Sequence, residues 1–136
     1  MSGLANWPSA VTDAPPIAFL ATTDAERARL FYAGVLGVRL VTDDQFALVF
    51  DLAGTMLRLV RVESFTPQPF TVLGWRVPDL DAAIRQLSRG GVHFERFEGL
   101  EQDEAGAWKA PGGARIAWFK DPDGNLLSIS QHAPLP

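Results

Sequence analysis

The stretch WFKDPDGNLLSIS, Trp118 to Ser130, reads as a strand, a tight turn and a second strand. Asp121 supplies a side-chain acceptor for the turn, Pro122 fixes its own φ, and Gly124 tolerates a positive φ. Because side chains alternate along a strand, Ser128 is expected on the opposite face from its neighbours Leu127 and Ile129. The turn therefore fixes the position of the final strand and raises the question of what Ser128 does there.

An internal repeat precedes this stretch. A strand-like segment (17–23) leads into a helix-like segment (23–37), in which Thr23 and Glu26 have the spacing of a capping box, and three strand-like segments follow. The same order restarts at residue 71 with a strand, a helix (78–91) and a strand (92–98), then a loop (99–113) and two strands. Asp24 and Asp79, at the two helix starts, lie 55 positions apart, which indicates duplication. We therefore predict an α+β fold of two tandem βαβββ modules.

The domain boundaries follow from the same pattern. Residues 1–15 contain small polar residues and prolines without periodicity, which predicts a flexible N-terminal arm. Residues 16–132 are predicted to form one domain, with module one at about 16–62 and module two at about 70–131.

Composition excludes several classes of function. The chain has 136 residues, a formal net charge of −4 and no cysteine, so we expect neither a disulfide framework nor a thiolate site. Nucleic acid is not an expected partner, because phosphate binding requires clustered basic residues. The sequence shows neither a membrane-spanning run nor a secretory signal, and a cytoplasmic location is expected.

Three stretches carry a resemblance to a known family: 22–38 (TTDAERARLFYAGVLGV), 77–92 (VPDLDAAIRQLSRGGV) and 119–130 (FKDPDGNLLSIS). With the paired modules, they resemble the vicinal oxygen chelate superfamily of glyoxalases, bleomycin resistance proteins and extradiol dioxygenases. The resemblance implies a cupped mixed β-sheet with helices packed on its convex face and a ligand on its concave face. It also implies that modules pair within or between chains, the latter as a homodimer.

The same resemblance implies where a metal would be bound. Metal-dependent members place a His on the first strand of each module, about seven residues before the helix-starting Asp, and a Glu on the last strand. Here those positions hold Ile17 and Val72, and Arg58 and Ser128. Divalent metals require several nitrogen or oxygen ligands that converge, so no metal site and no cofactor are expected.

The candidate ligand site lies on the face opposite the apolar strand positions. Arg58 and Arg76 could hold an oxyanion, and Gly74 would leave room for a ligand near the backbone. The remaining candidates are a hydroxyl, two apolar side chains, two tryptophans and one amide: Ser128, Phe19, Met56, Trp108, Trp118 and Gln102. Gln102 and Trp108 belong to an acidic loop that could close over the site as a lid. The alternatives, arginines at a solvated rim and a solvated loop, stay open at this point.

Two functions follow from these observations. The leading hypothesis is a small-molecule binding protein of the glyoxalase and bleomycin-resistance type that lacks the usual metal site. The alternative is a metal-dependent lyase, isomerase or dioxygenase, in which His93 and the loop carboxylates Glu98, Glu101 or Asp103 would hold a divalent ion. The sequence leaves open whether the protein is an enzyme.

Overall fold

The computed structural model describes residues 9–133, with only the backbone of Ser9. Module one contains α1 (Ser9–Thr12), β1 (Ile17–Thr22), α2 (Ala25–Arg29) with a π-helical continuation (Leu30–Val35), β2 (Arg39–Asp43), β3 (Ala47–Leu52) and β4 (Thr55–Arg61). Module two contains β5 (Thr71–Arg76), α3 (Leu80–Arg89), β6 (Trp108–Lys109), β7 (Arg115–Lys120) and β8 (Leu126–Gln131). Of the predicted arm, residues 1–8 lie outside the described part of the chain, and α1 occupies residues 9–12.

The two modules form two four-stranded mixed sheets with the same connectivity. Sheet A has the order β1-β4-β3-β2, and sheet B has the order β5-β8-β7-β6. The first and last strand of each module pair in parallel, whereas the other pairs are antiparallel. The predicted α+β fold of two tandem βαβββ modules is thereby confirmed.

Both long helical segments begin at an aspartate. Asp24 accepts a hydrogen bond from the backbone N–H of Arg27 at 3.1 Å, and Asp79 accepts one from Ala82 at 3.0 Å. The predicted helix starts are correct, but the predicted Thr23–Glu26 capping box is wrong, because Asp24 is the N-cap and the Thr23 hydroxyl donates to Asp123. No helix within residues 9–133 has the length and apolar character needed to cross a membrane.

One apolar core lies between the helices and one face of each sheet. Sheet A contributes Leu57 and Leu59 of β4, and sheet B contributes Phe119 of β7 and Leu127 of β8; all four are completely buried or nearly so. Burial of apolar area stabilises the fold by about 25 cal/mol per Å². Residues that alternate with these four point away from the core, and we call the two surfaces they form the open faces of sheets A and B.

The turn at residues 121–125 connects the two modules. The Gly124 N–H donates to the Asp121 carbonyl at 3.0 Å, and Gly124 has a φ of +89°. A Cβ at Gly124 would lie 2.9 Å from Cγ of Pro67, so both the backbone conformation and the close approach require glycine. The side chain of Asp121 accepts a hydrogen bond from the Tyr32 hydroxyl at 2.6 Å, and that of Asp123 accepts one from the Thr22 hydroxyl at 2.6 Å. The turn of module two is therefore anchored on module one.

Module two departs from the sequence prediction between α3 and β7. The strand predicted at 92–98 is wrong: Phe94 makes only an isolated bridge with Phe119, and the second strand of module two is β6, inside the predicted loop. The cause is the amide of Gln102, which accepts from Phe97 N at 2.7 Å and donates to the carbonyls of Glu95 and Gly106 at 2.9 and 2.8 Å. These bonds engage backbone groups that a regular strand would have used.

Candidate functional site

A row of three side-chain positions crosses the open face of sheet B. Gly74 is the register partner of Ser128, and Ser128 is the partner of Trp118. A Cβ added to Gly74 would lie only 2.5 Å from Oγ of Ser128. The missing side chain thus makes room for the serine hydroxyl beside the indole of Trp118.

A second row lies next to the first. Arg76 is the register partner of Ser130, and Ser130 is followed across the sheet by Ile116 and Trp108. The Arg76 side chain is exposed, and its Nη2 donates one long hydrogen bond, of 3.4 Å, to the carbonyl of Ala133. The hydroxyl of Ser130 lies 2.9 Å from Nε2 of His132. A cation and a hydroxyl–imidazole pair therefore stand beside the Gly74–Ser128 notch.

Three aromatic rings form a wall at the β7 end of these rows. The ring of Trp118 lies 5.3 Å from that of Phe97, edge to face, and 6.0 Å from that of Trp108. The indole N–H of Trp118 donates to the hydroxyl of Thr71 at 3.1 Å, which fixes the orientation of the ring. Phe97 was not a sequence candidate, because it fell in the segment wrongly predicted as a strand, and no sequence signal identifies it.

The open face of sheet A is more apolar. Ile17, Phe19 and Met56 are exposed by 48%, 61% and 41%, which is high for large apolar side chains. Arg58 on the same face forms an ion pair with Asp44, whose Oδ2 lies 2.9 Å from Nη2. The backbone N–H of Ala47 and the guanidinium of Arg58 both lower the pKa of Asp44, so this carboxyl stays ionised and compensates the arginine.

The structure divides the nine sequence candidates between separate surfaces. Arg76, Gly74, Ser128, Trp108 and Trp118 come together on sheet B. On sheet A, Phe19 lines a cleft of about 340 Å³ and Met56 lines a different cleft of about 250 Å³. Arg58 is paired with Asp44, and the ninth candidate, Gln102, bonds within its own loop.

The acidic loop makes internal contacts that hold its shape. The carboxylate of Asp103 accepts from the N–H groups of Ala105 and Ala107 at 3.0 and 2.9 Å, and it lies 3.3 Å from Nη2 of Arg115. Within residues 9–133, no three side chains of His, Cys, Asp or Glu are grouped as a metal site. The ligand set of the metal-dependent alternative, His93 with the loop carboxylates, is therefore not assembled in the described part of the chain.

The four positions at which the resembled fold would bind a metal do not fit one. Ile17 and Val72 have no donor atom, and the guanidinium of Arg58 is itself a cation. Ser128 contributes one neutral hydroxyl, which is a poor ligand for a divalent ion in isolation.

Comparisons with solved structures agree with this fold. A superfamily member from Sphaerobacter thermophilus is 25% identical, with a TM-score of 0.70 over 88% of this chain and 97% of that chain. A fosfomycin resistance protein from Listeria monocytogenes (13% identical, TM-score 0.67, 88% and 93% covered) shares the fold. So does a lactoylglutathione lyase from Agrobacterium tumefaciens (16% identical, TM-score 0.66, 87% and 92% covered). No curated protein sequence gives a significant match.

The family comparison covers most of the chain. The model of the Glyoxalase/Bleomycin resistance protein/Dioxygenase superfamily matches residues 14–129, which include both modules and the turn at 121–125. With the paired mixed sheets and the asparagine-terminated turn, this match confirms the resemblance drawn from the sequence. The chain belongs to the glyoxalase/bleomycin resistance protein/dioxygenase superfamily.

Proposed function

We propose that this protein binds a small molecule on the open face of sheet B, and that it does so without a metal ion. The observation that carries the proposal is the pair of adjacent rows, Gly74–Ser128–Trp118 and Arg76–Ser130–Ile116–Trp108. An aromatic wall beside a few polar groups is typical of small-molecule sites.

The polar side of this surface favours a ligand with a carboxylate or another oxygen acceptor. A guanidinium can donate two parallel hydrogen bonds to such a group, and Arg76 makes only one long bond within the described residues. The hydroxyls of Ser128 and Ser130 provide further donors on the same face. The Ser128 hydroxyl occupies the space that a side chain at Gly74 would fill.

The aromatic side favours a ligand with a flat body. Trp118 and Trp108 are half-buried, so part of each indole stays accessible for stacking. Aromatic pairs contribute about 0.5–1.5 kcal/mol beyond the area that they bury. We therefore expect a planar molecule whose acceptor group reaches Arg76.

The residues at the four metal positions support binding without a metal. Arg58, compensated by Asp44, and the apolar Ile17 and Val72 leave no set of ligands there. Two proteins that share this fold are named for lactoylglutathione and for fosfomycin, and these two compounds are therefore the first probes for this chain.

The test is a titration of protein purified without added metal, followed by tryptophan fluorescence and calorimetry. The probes are lactoylglutathione, fosfomycin and a panel of aromatic carboxylates, and native mass spectrometry records any retained compound or ion. Arg76→Ala is expected to weaken binding about tenfold, whereas Arg39→Ala on the edge of sheet A should leave it unchanged. A divalent ion bound once per chain, whose removal abolishes binding, would contradict the proposal.

We further propose that a second copy of this chain covers the open face of sheet A. The exposed row of Ile17, Phe19 and Met56 supports this, because contiguous apolar patches mark interaction surfaces. Analytical ultracentrifugation should show a dimer that Phe19→Glu dissociates and that Val11→Glu leaves intact. A wild-type monomer at every concentration would refute the dimer.

The cytoplasmic location stays a prediction from the sequence.

A further inference from the structure

A cleft of about 620 Å³ lies between the second half of α3 and the loop at 93–105. Its apolar floor includes Ile84 and Phe94, and Phe94 packs edge to face on Phe119 at 5.7 Å. Since Phe119 faces the core, this cleft lies on the side of sheet B that carries the helix, away from Trp118 and the proposed ligand surface. We call it the arginine cleft, after three residues in its walls: Arg85, Arg89 and Arg96.

Two of these arginines form no ion pair within the described part of the chain. Arg85 and Arg89 are one helical turn apart, so their side chains project from the same face of α3. Within residues 9–133, neither guanidinium makes a hydrogen bond or an ion pair. The pKa of Asp81 is lowered chiefly by the hydrogen bond from Arg115 and to a lesser degree by the charge of Arg85. The carboxylate of Asp81, one turn before Arg85, is held instead by Arg115 at 2.9 Å.

This arrangement differs from that of half of the ten arginines in the chain. Five of them form ion pairs with carboxylates at 3.0 Å or less: Arg29, Arg39, Arg58, Arg61 and Arg115. The cleft thus collects three guanidiniums that form no ion pair with a carboxylate within residues 9–133, in a chain whose net charge is −4. Arginine at a helix C-terminus is expected to compensate the helix dipole, which accounts for Arg89. It does not account for Arg85, a turn earlier, or for Arg96, outside the helix.

The opposite wall is held in place by Arg96. Its Nη2 donates to the carbonyls of Asp103 and Glu104 at 2.7 and 2.6 Å, and these neutral acceptors leave its positive charge uncompensated. In the same loop, the Asp103 carboxylate accepts a hydrogen bond from the N–H of Ala107, and the Gln102 amide donates one to the carbonyl of Gly106. A wall that is already ordered reduces the entropic cost of binding a ligand.

The chemistry of the lining selects an oxyanion. Besides the three guanidiniums, the lining contains the hydroxyl of Ser88 and the imidazole of His93, and Glu104 contributes the one carboxylate. A carboxylate ligand would use one guanidinium fork, whereas a phosphate or diphosphate presents enough oxygens for several donors. A nucleic acid would require an extended basic surface, which an acidic chain with three clustered arginines does not offer.

We infer that the arginine cleft binds a small molecule that carries a phosphate or diphosphate group. The oxyanion lies between Arg85, Arg89 and Arg96, with the Ser88 hydroxyl as a further donor. The rest of the molecule lies along Phe94. This site is separate from the proposed ligand surface on sheet B, and either can be lost without the other.

The test is calorimetric titration with inorganic pyrophosphate and, separately, with ADP at low ionic strength. One site per chain is expected, with binding that weakens as NaCl is added. Arg85→Ala combined with Arg89→Ala should weaken binding about tenfold or more, because two charged donors are removed. The matched control, Arg27→Ala combined with Arg29→Ala, removes the same charge from α2 and should change affinity less than about twofold.

Two further measurements make the outcome decisive. Glu104→Gln should tighten binding about twofold or more, since it removes the one carboxylate of the cleft. Urea midpoints verify that each variant folds, which is expected because Arg85 and Arg89 are exposed. The inference is overturned if neither probe binds, or if both pairs of variants weaken binding equally. It is also overturned if an acidic peptide or an oligonucleotide binds where pyrophosphate and ADP do not.

Discussion

Replacing Tyr32 with phenylalanine removes one hydroxyl from the core and leaves the ring in place. Tyr32 is completely buried, and its hydroxyl donates to Oδ2 of Asp121 at 2.6 Å. Asp121 is 5% exposed and also accepts from the Asn125 side chain at 2.8 Å. The variant therefore deletes a single bond between the helix of module one and the turn of module two, with little change in packing.

The expected cost follows from the charge of the acceptor. A hydrogen bond to a charged group contributes about 1.5–3 kcal/mol, so Tyr32→Phe should lower the free energy of unfolding by about 2 kcal/mol near neutral pH. Burial raises the pKa of Asp121, and the Tyr32 hydroxyl opposes that rise by favouring the carboxylate. The variant should raise this pKa further. Its deficit is thus largest where Asp121 is ionised, and it shrinks as the pH falls through the raised pKa.

Urea denaturation of both proteins at about pH 7 and about pH 4.5 measures the effect. Ser64→Ala, at an exposed serine between β4 and β5, is the matched control and should change stability by less than about 0.5 kcal/mol. A Tyr32→Phe protein as stable as the wild type would refute the reasoning. A deficit that is equal at both pH values would refute its electrostatic part.

Three further predictions follow from the same contacts. Burial raises the pKa of Tyr32, which is the one tyrosine of the chain. Tyrosinate absorbance should therefore appear only as the protein unfolds, above about pH 10. Tyrosinate absorbance from protein that is still folded would contradict this prediction. Gly74→Ala should lower the free energy of unfolding by about 1 kcal/mol, because the new Cβ would lie 2.5 Å from Oγ of Ser128. Adding Ser128→Ala should restore the stability, since Cβ of residue 128 is 3.8 Å from the new Cβ. If the two substitutions have additive effects on the urea midpoint, the coupling is disproved. Burial opposes ionisation of Asp123, but hydrogen bonds from the hydroxyls of Thr22 and Thr23 together lower its pKa. Asp123→Asn should therefore lower the free energy of unfolding by about 1 kcal/mol near neutral pH and by less in acid, where the wild-type carboxyl is protonated. Urea denaturation at several pH values measures this difference.

The order of elements was predictable because local signals and the repeat agree. Asp24 and Asp79 cap helices at corresponding positions, and the alternation of apolar residues along β4 and β8 matches the burial of Leu57, Leu59 and Leu127 in the core. These signals depend on neighbours a few residues away, which the sequence displays directly. They were sufficient for the fold and for the alternation of each of these strands between a buried and an open face.

Long-range partners of polar side chains were not predictable. Arg58 and Arg76 were both expected to hold an oxyanion, yet Arg58 is paired with Asp44, 14 positions away, and Arg76 is exposed. Gln102 was expected to meet a ligand, but its amide organises its own loop. In each case the outcome depends on where a turn directs a carboxylate or a carbonyl, and periodicity contains no information about that.

The turn and the strand after it carry different information about this protein. Three side chains of the turn bind module one: Asp121 accepts from Tyr32, Asp123 accepts from Thr22, and Asn125 donates to the carbonyl of Ala21 at 3.2 Å. Their chemistry is used in holding the modules together, so they identify the fold and leave the function open. Ser128 lies on the open face, where no core contact restricts the choice of side chain. A change at Ser128 should leave the turn intact, so this serine, between a glycine and a tryptophan, is a position at which the proposed binding can be tested separately from folding.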